Sequence, residues 1–114
     1  MPVRAARAGK NEALFRDVNE RIRAISEELA LDAAQAAVLD GLVCECADPT
    51  CTERLGQMSV VDYEAVRRDA LEFIVAPDHV DPDIESVVKR TPGYWVVRKD
   101  ERAADVARES DPRR

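Results

Sequence analysis

Aromatic residues are scarce in this 114-residue chain: Phe15, Tyr63, Phe73, Tyr94 and Trp95. A core must therefore be filled by Val, Leu, Ile and Ala, and at this length it is modest. There are only four glycines and no glycine-rich run, which excludes a phosphate-cradling loop. No apolar stretch approaches the roughly 20 residues that a membrane-spanning helix needs. The opening Met1 to Lys10 contains no apolar segment of the kind a secretory signal carries, so none is expected. Lysine is scarce as well, with 3 against 14 arginines; the many Ala, Val and Asp residues add to the impression of a GC-rich genome. Net charge is -6, which disfavours binding to a phosphate backbone through the whole surface. The chain has a single histidine, His79. The zinc-deaminase pattern (H-x-E with P-C-x-x-C) and the H-E-x-x-H pattern are both missing.

What the chain does have is three cysteines within eight residues, Cys44, Cys46 and Cys51. Three thiolates and an imidazole suit a closed tetrahedral zinc site, in which ligands converge at about 2.3 Å for sulfur and 2.0–2.1 Å for nitrogen. Leu42 to Cys46 reads as a short strand, so Cys44 and Cys46 share one face and Glu45 points away. Ala47-Asp48-Pro49-Thr50 reads as a turn that brings Cys51 back. His79, on a proline-containing loop after a strand, is the expected fourth ligand; Asp48, Asp78, Asp81 or a water are the alternatives. Redox or disulfide chemistry and inert, partly buried thiols are the competing readings of the cysteines. For catalysis, Glu45 and Glu53 are the nearest acid–base candidates, but thiolate-rich zinc sites are usually structural. Arg54 would favour a thiolate nearby. Arg67–Arg68 and Lys89–Arg90 read as solvated basic pairs.

Along the chain, residues 1–10 are expected to form a loose tail, 11–108 a single domain, and 109–114 a second frayed tail. Asn11 would cap a first helix whose apolar stripe is Phe15, Val18, Ile22, Ile25 and Leu29, widened by Leu14. Such a stripe packs on its own domain or forms a homodimer; two heptads fall short of a coiled coil. Glu12/Arg16, Asp17/Arg21 and Glu20/Arg23 are spaced as surface pairs on that helix. Leu31 to Leu39 is helix-compatible with Asp32 as a cap, and Thr52 to Met58 reads as a short strand. Ser59 caps a helix with Val60, Tyr63, Val66 and Ala70 inward. Leu71 to Val75 and Tyr94 to Arg98 read as strands. Asp81-Pro82 opens a further helix with Ile84, Val87 and Val88 on its apolar side. Residues 100–108 add a helical turn or two.

Cys44-Glu45-Cys46 with Cys51, Tyr63-Glu64-Ala65-Val66-Arg67, Phe73 to His79 and Gly93 to Val97 together resemble a group of short, largely uncharacterised proteins from actinomycete-type bacteria. The likeness runs from about Asn11 to about Lys99. In that group the histidine follows a Pro-Gly pair; here Asp78 takes the glycine's place. The resemblance implies that the cysteines and His79 belong together, and it carries no established activity.

The fold class expected is a small α+β domain: an amphipathic N-terminal helix, short strands and a structural zinc site. The function expected is a non-enzymatic, zinc-binding interaction or regulatory module in the cytoplasm. Its protein partner would meet the long helix or the strand edge near Trp95. The alternatives are a thiol-based redox sensor and, behind it, a small metallo-hydrolase.

Overall fold

A computed structural model describes residues 3–48 and 50–113, with side chains from Asn11 onward. The expected α+β class is found. Four helices, α1 (Val3–Leu29), α2 (Ala33–Ala36), α3 (Val60–Arg67) and α4 (Glu101–Glu109), surround two small antiparallel sheets. One sheet pairs β1 (Val38–Leu39) with β2 (Met58–Ser59). The other has the order β3-β5-β4, from β3 (Glu72–Val75), β4 (Glu85–Arg90) and β5 (Trp95–Lys99).

Local chemistry explains most element ends. Asp32 accepts the Gln35 N–H at 2.9 Å and caps α2, Ser59 accepts the Asp62 N–H at 3.0 Å and caps α3, and Asp100 accepts the Arg102 N–H at 2.9 Å and caps α4. The apolar side chains of β3 and β5, notably Phe73, Ile74, Val75, Val96 and Val97, join Tyr63, Leu39, Leu42 and Met58 in one core. Gly56 and Gly93 touch backbone to backbone. A Cβ on Gly56 would lie 3.0 Å from the Gly93 Cα, and the Gly56 N–H donates to Gly93 O at 3.0 Å.

Helix α1 departs from the expected arrangement in two ways. It begins at Val3, so Asn11 lies inside it and caps nothing; the side chains of residues 1–10 are outside the described set. It also docks by its polar face. Glu12, Arg16 and Asn19 are fully buried, whereas Leu14, Ile25 and Leu29 are 60%, 53% and 71% exposed. Of the expected stripe only Ile22 packs against the main core as a partly buried residue. Two of the three predicted surface pairs are replaced by longer-range contacts. Glu12 pairs with Lys99, which also contacts Glu85, all three being buried. The Arg16 guanidinium donates to Ala70 O and Ala107 O at 2.8 Å and lies 4.3 Å from the Phe73 ring centre. Glu20 accepts from Arg67 at 3.0 Å, and Arg67 also reaches Asp111 at 2.6 Å, so Arg67 is buried and not a solvated face. Asp17–Arg21 alone persists as expected, at 3.1 Å.

Three further expectations change. Residues 85–90 form a strand, not a helix. Asp81 O accepts the Ile84 and Glu85 N–H groups at 3.1 Å for one turn, after which the chain pairs with β5. Adjacent β-branched Val87 and Val88 favour that outcome. The C-terminal segment is pinned: Arg113 contacts both Glu20 and Glu64, and Ser110 donates to Val106 O at 2.6 Å. Trp95 lies on the central strand rather than at an edge, with the Arg90 guanidinium 4.9 Å from its ring centre.

Candidate metal centre

The cysteine segment crosses the outer edge of β3. Leu42 O accepts the Leu55 N–H at 2.8 Å, the Cys44 N–H donates to Glu53 O at 3.2 Å, and Val43 bridges Arg54. The strands expected at Leu42 to Cys46 and Thr52 to Met58, on either side of the turn, are reduced to this isolated bridge and its adjoining bonds, with Met58 alone entering β2. Asp48 stabilises that turn, accepting from the Thr50 N–H and hydroxyl at 2.9 and 2.7 Å. Cys51 is thereby returned to the first two thiols.

His79 arrives from the loop that follows β3. Its N–H donates to Ala76 O at 3.0 Å, closing a turn in which Asp78 has φ 70°. That left-handed conformation is costless for glycine and tolerated by aspartate.

One donor atom from each of Cys44, Cys46, Cys51 and His79 falls within 4.8 Å of all the others. His79 Nδ1 is 3.5 Å from Cys44 Sγ and 3.6 Å from Cys51 Sγ. Tetrahedral zinc with ordinary bond lengths would separate sulfur and nitrogen donors by about 3.6 Å. The four side chains are thus close enough to hold a metal ion, and His79 rather than Asp48, Asp78 or Asp81 completes the set. Cys44 and Cys46 are buried, and Cys51 and His79 are half-buried. A cleft of about 470 Å³ opens beside the centre, with Cys46, Asp48, His79 and Asp81 among its walls.

The cluster's protons are unequally shared. The hydrogen bond from Cys44 holds Cys46 down at about 5 against its own burial, and His79 adds to the effect. Cys44 is pushed far up by the same shared hydrogen bond and by burial, although the Ala76 N–H at 3.1 Å opposes this. Burial also raises Cys51. A bound metal would displace the remaining thiol protons. Arg54 donates to Gly41 O at 2.9 Å.

Glu45, between two of the cysteines, is fully buried and structural in its contacts. Its Oε1 accepts the Ile74 N–H at 3.0 Å, its own N–H donates to Ile74 O at 2.8 Å, and its Oε2 accepts from Asn19 Nδ2 at 2.7 Å. Burial pushes its carboxyl up to about 7, while Asn19 and the Ile74 N–H pull it down. Asn19 in turn clasps Val43 on both sides, accepting its N–H at 2.7 Å and donating to its carbonyl at 2.8 Å. Asn11 Nδ2 donates to Ala47 O at 3.0 Å. Neither asparagine carries a signal in the sequence that distinguishes it from a surface residue of an amphipathic helix. Comparison with protein-family models, curated proteins and solved structures finds no match to this chain.

Proposed function

We propose that this protein is a non-enzymatic, zinc-binding interaction or regulatory module whose metal is structural. The observation that carries the reading is the convergence of three sulfurs and His79 Nδ1, with sulfur–nitrogen separations of 3.5 and 3.6 Å. Soft thiolate donors select zinc among the common divalent ions, and four protein ligands leave no open position for a reacting water. Glu45, the nearest carboxylate in sequence, is tied to β3 and α1 and does not face a substrate. The partner is a protein that covers the outward apolar stripe of α1, a second copy of this chain being one such partner. Leu14, Ile25 and Leu29 are the exposed side chains such a partner would cover. The clustered free thiols suit the reducing cytoplasm.

Elemental analysis of the purified protein tests the metal. One zinc per chain and a Tm that falls on chelation are expected. A stable, metal-free fold with three freely reacting thiols would remove the reading.

A thiol-based redox sensor is the second reading, favoured by the cleft that gives solvent a path to Cys46. Hydrogen peroxide would oxidise the Cys46 and Cys51 thiols to a disulfide, itself reduced to two waters, and the metal would leave. Zinc release measured against peroxide dose distinguishes the two readings: a purely structural site resists, and a sensor releases metal in step with loss of thiol.

A further inference from the structure

Helix α1 is held to the domain by an unusual set of contacts. Its docked face is polar, and Leu14, Ile25 and Leu29 look outward. Four of its hydrogen bonds end on one short stretch, residues 43–47, which carries two of the four candidate ligands. Asn19 makes two bonds to the Val43 backbone and a third to Glu45, and Asn11 reaches Ala47 O. Asn19 treats Val43 much as a neighbouring strand would, satisfying its donor and its acceptor at once.

The same stretch is fastened on its other side to β3, through Glu45 and through the Ala76 N–H on Cys44 Sγ. Its regular pairing is otherwise limited to the bridge at Val43 and Arg54 and the adjoining bonds of Leu42 and Cys44, all before Cys46. A metal joining Cys44, Cys46, Cys51 and His79 would fix this stretch relative to the loop after β3. Whatever fixes residues 43–47 also fixes the surface on which Asn11 and Asn19 land.

We propose that metal binding and the docking of α1 are one coupled equilibrium, transmitted by the Asn19–Val43–Glu45 clasp. Metal in the centre strengthens the hold on α1 through residues 43–47, and its loss loosens the helix while the β3-β5-β4 sheet and the Glu12 and Arg16 contacts persist. By reciprocity, the factor by which metal favours docking is the factor by which docking favours metal, so disrupting the clasp lowers metal affinity. Asn19 is a positioning residue for the centre, acting through the strand that bears the ligands. This inference rests on the metal reading above and adds to it a route by which metal occupancy reaches a distant surface.

Hydrogen exchange on the full chain, zinc-loaded and after EDTA treatment, tests it. Amides of α1 from Asn11 to Arg23 should exchange at least tenfold faster without metal, and those of β3 and β5 should keep their protection. If zinc binds at one per chain and α1 exchange is unchanged, the coupling is wrong and the metal reading stands. The coupling is also wrong if chelation exposes every element equally. If zinc does not bind, both fall together. Chelator competition on variants gives the reciprocal measurement. Asn19→Ala should lower zinc affinity about 10- to 100-fold, the range seen for residues that orient metal ligands. Asn11→Ala, which removes a single bond, serves where Asn19→Ala does not fold, and should lower affinity several-fold. Leu14→Gln, on the outward face of the same helix, should leave affinity unchanged; an equal loss there would overturn the assignment.

Discussion

Individual residues decide this fold where backbone demands are strict. Asp78 occupies a left-handed conformation at φ 70°, one residue before a candidate ligand. Asp78→Gly should be tolerated, whereas Asp78→Val should destabilise the fold by about 1–2 kcal/mol and weaken metal binding, as read by urea unfolding and chelator competition. Gly93 sits against Gly56, and a Cβ added there would lie 3.1 Å from the Gly56 Cα. Both partners are backbone and cannot swing aside, so Gly93→Ala should cost about 1–3 kcal/mol in the same unfolding measurement. The cysteines and His79 were legible because metal chemistry restricts donor type and brings the three thiols close in the chain. Asp32 and Ser59 were legible because a cap acts within three residues of itself. Glu12, Arg16, Asn19, Arg67 and Lys99 were not, because their partners lie 14 to 94 residues away. Nothing local marks such a side chain as buried.

At the level of elements, the periodicity of α1 announced a helix correctly and its inward face wrongly. An apolar stripe normally finds the core. Here buried ion pairs and the Asn19 clasp occupy the docking face, with Arg16 stacked on Phe73. Residues 85–90 were misread for a related reason: Asp81-Pro82 does open a turn, but the open edge of β5 outcompetes helix propagation. The C-terminal segment carries a pH-dependent contact. Arg113 lowers Glu64 directly, and with Arg67 it outweighs the burial that would raise Glu20. Carboxyls held below their unfolded value of about 4.3 stabilise fully above that pH and lose the contribution as pH falls through their lowered values. Arg113 is partly exposed, so Arg113→Ala should cost only about 0.5–1 kcal/mol near pH 7. The gap between wild type and variant, followed by denaturant titration, should close as pH is lowered from 5 toward 3.

For the whole molecule, the 27-residue α1 spans about 40 Å and accounts for most of the 46 Å long dimension. Its outward leucines and Ile25 contribute little to the isolated chain's stability. Replacing Leu14, Ile25 and Leu29 together by Gln should change unfolding free energy by less than about 0.5 kcal/mol per site, as is usual for exposed positions. The same triple variant should abolish any concentration-dependent self-association seen by sedimentation. Self-association that survives it would place the contact elsewhere.

The outer rim of β3 has one more consequence. Sheets are extended by strands that offer unpaired N–H and C=O groups to a newcomer. The other rim, β4, is protected by exposed Ser86, Lys89 and Arg90 and by a register slip after Val87. β3 has an apolar sequence, Glu72-Phe73-Ile74-Val75, and its free groups at Ile74 and Ala76 are capped by Glu45 and Cys44. The cysteine segment is therefore a lid on a sticky edge. Deleting its bonds to Ile74, rather than removing a metal, is what would open that edge to another strand.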